Sequence, residues 1–446
     1  MPLLVVLVLL PVFLFSQEVV VYPSPRQLTF NEQRFPLGRQ LIYGRVQQQL
    51  NQKFDEQLGQ EGYRLLVDST HASLTANTSA GLYYGLQTVK QLTVFDSLSG
   101  FYFIRGAEIT DYPAYGFRGM HLDVCRHFFP KEVIRQYIDT LAAYRINYFH
   151  WHLTDDQGWR IEIKQYPKLT AIGAWRTLDN GTQYGGYYTQ EDVREIVAYA
   201  LERHVTVIPE IEMPGHSSAA IAAYPWLSCA ASSISVPARW GIFKNIYCPT
   251  DTVFRFLQHV LDEVCALFPS PYIHIGGDEV PKQEWKKNDA VKALMKREQL
   301  RNYEQVQHYF MKTMEDYLLA KGKRSIGWGE VTRGGLSDSM LVMSWRGKFA
   351  GIKAAKNGNE VIMAPRFSCY FDYPQTWKEK KPAWWMTRLT AKKVARFKPN
   401  SQLLSKMQNE KIIGAEATLW TEYVPDEKRL WHQLMPRLKH FAEAVW

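Results

Sequence analysis

The sequence has little of what would place it in several large classes of protein. Five cysteines among 446 residues are an odd number and too few for a disulfide-based scaffold. After residue 16, no stretch is apolar enough to span a bilayer. Neither a Gly-x-Ser-x-Gly nucleophile elbow nor a phosphate-binding loop is present, and no repeats or low-complexity segments stand out. The sequence therefore gives no support to a disulfide scaffold, a serine hydrolase of that type or a nucleotide-binding enzyme.

The first 16 residues predict where the mature protein is found. Residues 1–16 (MPLLVVLVLLPVFLFS) form a short apolar run that ends in a small residue, which is typical of a secretory signal peptide. We expect export to a periplasmic, extracellular or lumenal compartment, with no membrane contact after cleavage. A single disulfide can form there, and we expect it to join Cys229 and Cys248, which lie in a loop-like segment rich in Ser, Ala and Pro.

The positive charge does not by itself indicate a function. The formal net charge is +9, and part of it is concentrated in residues 378–398, where basic residues alternate with Trp384, Trp385 and Phe397. An anionic polymer is one interpretation of this pattern. We interpret it as a solvated basic loop, because no nucleic-acid-binding motif accompanies it, and we expect no nucleic-acid partner.

The pattern of apolar residues divides the chain into a small N-terminal α+β domain (residues 17–113) and a larger α/β domain (residues 114–446). In the first domain, strands are predicted at 61–68, 72–76 and 100–109, and a helix at 79–92. In the second, strands are predicted at 117–125, 148–154, 205–213, 272–276, 325–331, 341–345, 361–369 and 412–420. Helices predicted at 130–144, 189–204, 251–268 and 303–321 separate several of them. Eight strands alternating with helices predict a (β/α)₈ TIM barrel, in which functional residues follow the carboxyl ends of the strands.

The segment from His274 to Val280 carries the most informative chemistry. An apolar strand runs into Gly276 and Gly277 and is followed at once by Asp278 and Glu279. Neighbouring strand residues point to opposite faces, but two glycines let the backbone turn both acids towards one cavity. Two carboxylates so close cannot both ionise easily, so one should have a raised pKa and donate a proton near neutrality. Cleavage of a glycosidic bond needs such a donor. An acidic surface turn is the alternative.

Further motifs occur in order at the predicted strand ends. They are Arg118 to Asp123 (RGMHLD), Arg126 to Phe128 (RHF), His150 to Gln157 (HWHLTDDQ), Glu212 to His216 (EMPGH), His274 to Glu279 (HIGGDE) and Leu419 to Glu422 (LWTE). With these motifs, nearly the whole mature chain resembles glycoside hydrolase family 20, the β-N-acetylhexosaminidases. The resemblance implies an exo-acting enzyme that removes terminal, non-reducing β-linked GlcNAc or GalNAc from a glycan or chitooligosaccharide. It implies no metal and no cofactor.

The resemblance also assigns roles to the two central acids. Glu279 is expected to be the general acid/base, and Asp278 to orient and stabilise the 2-acetamido group of the substrate. In this family the acetamido oxygen attacks the anomeric carbon itself and forms an oxazolinium intermediate, so configuration is retained without a protein nucleophile. Adjacent acids at one strand end suit this scheme, because both approach the sugar from one side.

Other residues match the substrate-binding positions of the family. The resemblance implies that Arg126 binds the 3- and 4-hydroxyls of the sugar. A structural ion pair is its alternative role. It gives Asp155 and His216 a supporting role for the protonation of the acid. The remaining matches are aromatic walls at Trp328, Trp345 and Trp420, a hydrogen bond from Tyr370 to the acetamido oxygen, the Asp372 of a Tyr-x-Asp motif, and hydroxyl recognition by Glu422.

Two other functions fit part of the sequence. The pair His150-x-His152 places two imidazoles on one face of a strand, a spacing that suits a metal-dependent amidohydrolase, and His216 and His274 could complete the ligand set. A non-catalytic sugar-binding protein of the same fold is the other alternative. The intact Asp278-Glu279 pair argues against it, because a lectin needs no tuned acid.

Overall fold

The computed structural model describes residues 20–446 of the chain. The predicted signal peptide, residues 1–16, lies outside the described residues. Within residues 20–446, no helix combines the length and the apolar character that crossing a membrane requires.

The N-terminal domain is a six-stranded sheet covered by one helix. Its elements are β1 (Gln27–Gly38), β2 (Gln47–Leu50), β3 (Tyr63–Val67), β4 (Ala72–Ala76), α1 (Ser79–Leu92), β5 (Thr93–Asp96) and β6 (Phe101–Asp111), with a 3-10 turn at Tyr43–Arg45. The strand order is β1-β6-β3-β4-β2, and β5 pairs with β6. Strands β1, β2 and β5 were not predicted. In β2 all four residues (QQQL) are exposed, so the apolar alternation that marks a strand is absent there.

The second domain contains the remaining elements. Its strands are β7 (Phe117–Asp123), β8 (Tyr148–His152), β9 (Thr154–Asp155), β10 (Gly158–Trp159), β11 (Trp175–Thr177), β12 (Gln183–Gly185), β13 (Thr206–Met213), β14 (Tyr272–Gly276), β15 (Arg324–Trp328), β16 (Leu341–Ser344), β17 (Val361–Met363) and β18 (Ile412–Ala417). Its helices are α2 (Lys131–Ala143), α3 (Lys168–Ala171), α4 (Gln190–Leu201), α5 (Ser218–Ala223), α6 (Asp251–Leu267), α7 (Gln283–Lys287), α8 (Asp289–Arg297), α9 (Tyr303–Ala320), α10 (Phe349–Asn357), α11 (Arg366–Cys369), α12 (Ala391–Ala395), α13 (Lys406–Asn409), α14 (Glu427–Leu434) and α15 (Arg437–Val445), with 3-10 turns at Pro225–Leu227 and Gly329–Thr332.

Eight parallel strands close into a barrel in the order β7-β8-β13-β14-β15-β16-β17-β18, which confirms the predicted (β/α)₈ fold. The strands are buried on both faces, as expected when helices surround a parallel barrel. Helix α4 shows why the flanking helices begin where they do. The Thr189 side chain accepts a hydrogen bond from the Asp192 amide, and the Asp192 carboxylate accepts one from the Thr189 backbone N–H, which forms a capping box.

Three strands end at least three residues earlier than the sequence predicts. The seventh, predicted at 361–369, ends at Met363, because Pro365 opens the short helix α11. The fifth, predicted at 325–331, ends at Trp328 and continues as the 3-10 turn Gly329–Thr332. The eighth, predicted at 412–420, ends at Ala417. In each case the chain leaves the sheet where its side chains begin to surround the mouth of the barrel.

A buried ion pair joins the two domains. The Arg145 guanidinium, just after α2, lies 2.7 Å from the Asp111 carboxylate at the end of β6, and both side chains are fully buried. Asp111 also accepts hydrogen bonds from the Tyr63 hydroxyl at 2.9 Å and the Trp446 indole at 3.0 Å. Loss of one member of a buried pair costs about 3–5 kcal/mol. This contact therefore fixes the N-terminal domain against the bottom of the barrel.

Candidate active site

A cavity of about 410 Å³ opens at the carboxyl ends of the barrel strands. Ten of the eleven catalytic and substrate-binding residues predicted from the sequence line it: Arg126, Asp155, His216, Asp278, Glu279, Trp345, Tyr370, Asp372, Trp420 and Glu422. They come from widely separated parts of the chain, and the closed barrel brings them together. The eleventh, Trp328, does not line the cavity.

The backbone after β14 turns both acids of the Asp278-Glu279 pair into this cavity. Gly276 has a φ of +66°, Gly277 of +98° and Glu279 of +47°, so three residues of four adopt the left-handed region. A Cβ on Gly276 would collide with the Glu212 carboxylate, so only glycine fits there. Carboxylate oxygens of Asp278 and Glu279 lie within 4.8 Å of each other and of His216.

Asp278 is the acid whose pKa burial raises. Its side chain is 14% exposed. Burial raises the pKa, the nearby His216 imidazolium opposes this, and Glu279 adds to it, so that the pKa of Asp278 is about 7. The sequence predicts a raised pKa for the proton donor. In the structure the raised pKa belongs to Asp278, the residue that the resemblance assigns to the acetamido group. Asp278 lies deeper in the cavity than Glu279, and depth decides the shift.

Glu279 contacts a cation on the open side of the cavity. Its Oε1 accepts a hydrogen bond from Arg346 Nη2 at 3.1 Å, and its Oε2 lies 3.9 Å from His216 Nε2. Arg346 is held in turn by Glu330, whose carboxylate accepts from Arg346 Nε at 2.6 Å and from the Trp345 indole at 2.9 Å. Three successive strand ends, after β14, β15 and β16, thus position this acid.

His216 links the two acids to a buried pair of aspartates. Its Nδ1 lies 3.1 Å from Asp156 Oδ2 and 3.4 Å from Asp155 Oδ1, and its Nε2 lies 3.9 Å from Asp278 Oδ2. Burial alone lowers the pKa of His216, but Asp155, Asp156 and Asp278 raise it well above the ordinary range. An imidazolium therefore faces both Asp278 and Glu279 at neutral pH. The structure brings together the pair that the sequence predicts, with Asp156 as a third member.

Arg126 forms the ion pair that was its alternative role, and its role towards the sugar hydroxyls stays a prediction. Its Nη1 lies 2.8 Å from Asp155 Oδ2, and its Nε donates to Gln157 Oε1 at 3.0 Å. The guanidinium also lies over the Trp420 ring, 5.1 Å from its centroid. The structural ion pair is therefore present, yet Arg126 still lines the cavity. The pair pre-orients a fork of donors towards a ligand.

A network of imidazoles and carboxylates lies below the cavity floor. Glu210 lies 3.1 Å from His150 Nε2 and 2.7 Å from His274 Nδ1, and it also pairs with His152. His150 contacts Glu416 at 2.8 Å as well. Although burial opposes it, Glu416 and Glu210 raise the pKa of His150 to about 9. His150 and His152 are thus both paired with buried carboxylates, and their His-x-His spacing places them in a charged network beneath the cavity.

Aromatic rings form the walls, and one predicted member lies elsewhere. Trp345 and Tyr370 lie nearly parallel, with ring centroids 6.1 Å apart, and Trp420 lies 6.4 Å from Tyr370. Trp328 is 1% exposed and its indole donates to Glu210 at 2.8 Å, so it belongs to the layer below the floor. It packs against Trp420 at 5.9 Å and supports that ring from beneath. Its role as an aromatic wall stays a prediction, because strand-end position alone does not show how deep a side chain lies and the ring lies beneath Trp420.

Several polar atoms in this cavity have no protein partner. Among the described residues, no hydrogen bond reaches Oδ1 of Asp278, Oδ1 of Asp372 or Nε1 of Trp420, although all three atoms are buried. Burial and the nearby Glu422 raise the pKa of Asp372 well above its ordinary range. Unpaired buried polar groups cost about 1–3 kcal/mol each unless a ligand satisfies them. All three atoms belong to residues that line the same cavity.

Five residues at or next to the cavity were not predicted from the sequence. These are Gln157, Glu212, Trp240, Glu330 and Arg346. Two of them lay inside quoted motifs: Gln157 ends the HWHLTDDQ segment, and Glu212 opens EMPGH. Arg346 directly follows Trp345, so its position beside a strand end was a usable signal. No sequence signal marks Glu330 or Trp240.

A disulfide closes the loop that forms one wall. Cys229 and Cys248 are bonded, with Cα atoms 4.8 Å apart, in the loop between β13 and α6. The enclosed segment contributes Trp240, Gly241 and Ile242 to the cavity lining. By the chain-entropy estimate, a closed loop of this length stabilises the fold by about 3 kcal/mol. The bridge thus restrains a wall of the site that has no regular secondary structure of its own.

Comparison with known proteins agrees with this geometry. Residues 115–446 match the family described as glycosyl hydrolase family 20, catalytic domain, and residues 42–112 match domain 2 of the same family. A protein of Porphyromonas gingivalis named Beta-hexosaminidase is 44% identical over 396 residues, which cover 87% of this chain and 51% of that protein. The Beta-hexosaminidase of Vibrio furnissii is 37% identical, over 86% of this chain and 65% of that protein. The chain thus spans about half and about two thirds of these relatives.

A solved structure shows the same arrangement over nearly the whole chain. The GH20 exo β-N-acetylglucosaminidase from Vibrio harveyi, in complex with N-acetylglucosamine, superposes with a TM-score of 0.86 at 31% identity. The match covers 96% of this chain and 73% of that one. The fold, the ordered strand-end motifs and these matches lead to one conclusion: this chain belongs to glycosyl hydrolase family 20.

Proposed function

We propose that this protein is an exo-acting β-N-acetylhexosaminidase, which hydrolyses terminal β-linked N-acetylhexosamine and retains the configuration at the anomeric carbon. The observation that carries the proposal is the placement of Asp278 and Glu279. Both carboxylates come from one strand end, and both face the same nitrogen of His216 at 3.9 Å. A protein nucleophile and an acid must approach the sugar from opposite faces. Two acids on one side leave the attack to the substrate's own acetamido oxygen.

In the first step the glycosidic bond breaks. Protonated Glu279 gives its proton to the glycosidic oxygen, and the aglycone leaves with the bonding electron pair. The acetamido oxygen bonds to the anomeric carbon, and the positive charge of the resulting oxazolinium falls near the Asp278 carboxylate. The unpartnered Oδ1 of Asp278 is free to accept the amide N–H, which supports this role. A preorganised anion where charge develops lowers the barrier.

In the second step water opens the intermediate. Glu279, now a carboxylate, takes a proton from water, the water oxygen bonds to the anomeric carbon, and the bond to the acetamido oxygen breaks. Arg346 Nη2 lies 3.1 Å from Glu279 Oε1, and His216 Nε2 lies 3.9 Å from Glu279 Oε2, so both side chains border the acid in this step. Two displacements at one carbon return the original configuration.

Several observations support an exo mode and the class of sugar. Arg126, Asp372 and Glu422 gather at one part of the cavity, where they suit the hydroxyls of a terminal sugar. The relatives named above are called Beta-hexosaminidase, and the Vibrio harveyi enzyme holds N-acetylglucosamine. We extend the proposal to GlcNAc as the terminal sugar, with GalNAc as the alternative, on a glycan or chitooligosaccharide.

We also propose that the mature protein is exported. The apolar run at residues 1–16 supports this, and so does the Cys229–Cys248 bridge, since such bonds persist in oxidising compartments. A protein that stays in the cytoplasm with Met1 at its N-terminus would contradict the proposal.

Substrate comparison tests the activity directly. Aryl β-GlcNAc and β-GalNAc should be hydrolysed, and the matched aryl glucoside with a 2-hydroxyl should not, because it lacks the attacking group. NMR of the reaction at early times should show the β-anomer of the sugar first. An initial α-anomer, or equal hydrolysis of the glucoside, would contradict the substrate-assisted scheme. A protein that binds the sugars and turns over none of them would be the non-catalytic alternative.

Glu279→Gln tests the proton donor. Loss of a general acid slows turnover by about 10²–10⁴-fold when the leaving group must be protonated. An activated aryl leaving group departs without a proton, so its first step should be affected much less. Steady-state kinetics with a disaccharide and with an activated aryl glycoside measures the difference. Equal losses on both substrates would give Glu279 another role.

Asp278→Asn tests how much stability the folded protein loses by burying the Asp278 carboxylate. The pKa of Asp278 is about 7 in the folded protein, against an ordinary value of 3.8. Between these pH values the folded state holds a proton that the unfolded chain has released, so stability falls as the pH rises towards 7 and stays lower above it. The variant carries no charge. It should therefore be more stable than the wild type at pH 8, by on the order of 1–4 kcal/mol, and equal to it near pH 4.

Urea unfolding at the two pH values measures this effect. Asp338→Asn, which removes a charge from an exposed site, is the matched control and should change stability little at either pH. A less stable Asp278→Asn protein at pH 8 would show that the carboxylate is satisfied in the folded state.

A further inference from the structure

The positive charge of the chain is concentrated in one segment beside the cavity. Residues 376–398, here called the basic tryptophan loop, contain eight Lys and Arg residues and one acid, a net charge of +7 against +9 for the whole chain. The loop follows Asp372 of the cavity lining and precedes β18. Without it, the chain would be close to neutral. The sequence pattern predicts a solvated basic loop here, and the proposed catalytic steps do not use it.

The basic tryptophan loop exposes large aromatic rings together with its charge. Trp377 is 80% exposed and Trp384 is 91% exposed. The inner side of the same segment is apolar and buried, at Met386, Leu389 and Val394. The two exposed rings therefore do not fill a core. An exposed aromatic face next to a sugar-binding cavity is a surface on which further sugar rings can stack.

Contacts with the cavity wall hold the loop in place. Trp385 lines the cavity and packs edge-on against Tyr373, with ring centroids 6.0 Å apart. The Leu389 amide donates to the Pro374 carbonyl at 2.9 Å, and the Arg388 guanidinium donates to the Thr376 carbonyl at 3.0 Å while lying over Trp377. The exposed surface is thus continuous with the wall of the site.

The charge of the loop is not neutralised within the protein. Its single acid, Glu379, is already engaged by Arg429 at 3.1 Å and His432 at 3.4 Å. In the part of the chain that the structure describes, the exposed lysines of the loop form no ion pair. Positive charge also extends towards the cavity. Arg366, which lines the cavity, lies 4.7 Å from the centroid of the Phe367 ring, and Lys393 of the loop lies 5.8 Å from the same centroid.

We propose that the basic tryptophan loop binds the part of an acidic glycan that lies behind the terminal sugar, a chain bearing sulfate or carboxylate groups. This inference rests on the proposed function, because the cavity must hold the terminal N-acetylhexosamine. The exposed rings stack on the sugars, and the lysines meet the anionic groups. Charge of one sign beside a cleft raises the local concentration of oppositely charged substrate, and it does so less at high ionic strength.

The test compares two oligosaccharides that end in the same β-linked N-acetylhexosamine, one neutral and one sulfated on the sugars behind it. The wild type should prefer the sulfated chain in kcat/KM by about tenfold at low salt, and the preference should fade near 0.5 M salt, roughly where charges are screened. In the combined variant Lys378→Gln, Lys380→Gln, Lys381→Gln it should disappear. Trp384→Ala should raise KM for both chains, because stacking does not depend on charge.

A matched variant separates local charge from net charge. The combination Lys287→Gln, Lys296→Gln, Lys356→Gln removes three exposed lysines outside the loop and should keep the preference. Hydrolysis of an aryl glycoside, which has no sugar behind the terminal one, reports on the proposed activity alone. If the wild type fails there, the proposed function is wrong, and titration calorimetry with the sulfated chain still tests the loop. An equal preference in both triple variants, or none in the wild type, overturns the proposal.

An anionic membrane is the competing partner for such a surface. Sedimentation with vesicles of anionic phospholipid measures it for the wild type and both triple variants. Vesicle binding that depends on Lys378, Lys380 and Lys381, without any preference for the sulfated chain, would assign the loop to a membrane surface and overturn the glycan proposal.

Discussion

The site depends on one backbone constraint, the left-handed turn at Gly276 and Gly277. Without it, successive residues after β14 would point to opposite faces and only one acid could reach the cavity. With it, Asp278 and Glu279 face the same His216 nitrogen, each at 3.9 Å. The neighbours leave no room for another residue, because a Cβ on Gly276 would collide with Glu212. The choice of two glycines therefore decides which chemistry this barrel can perform.

The surrounding structure balances the charge that this turn concentrates. Burial raises the pKa of Asp278 and that of Glu212, since both carboxylates lose water. The cations that offset these negative charges lie at different depths. His216 lies beside Asp278 and Glu279, Arg126 lies beside Asp155, and Arg346 lies at the open side of the cavity. Below them, Glu210 gathers the imidazoles of His150, His152 and His274. At each depth a cation thus lies beside a carboxylate, which lowers the cost of burying charge.

The sequence alone was enough to predict the barrel, because parallel strands are long apolar runs and the helices carry clear caps. It also identified ten residues around the cavity, because these residues follow the carboxyl ends of the barrel strands. Their chemical roles stay predictions. Sequence could not predict depth: Trp328 is the last residue of β15 and Trp420 follows β18, yet Trp328 lies under the floor and Trp420 lines the cavity. Nor could it show that Asp278 carries the raised pKa, since that shift depends on burial and not on spacing.

In the proposed mechanism the substrate's acetamido oxygen, stabilised by Asp278, is the nucleophile. Aryl β-GlcNAc substrates whose acetyl group carries zero to three fluorine atoms test it most directly, because fluorine makes that oxygen a weaker nucleophile and changes little else near the bond that breaks. We expect kcat/KM to fall steeply with each fluorine in the wild type. In Asp278→Asn, which removes the stabilising anion, the dependence of kcat/KM on the number of fluorine atoms should be altered. Rates independent of fluorination in the wild type would mean that another group attacks the anomeric carbon, and would contradict the account.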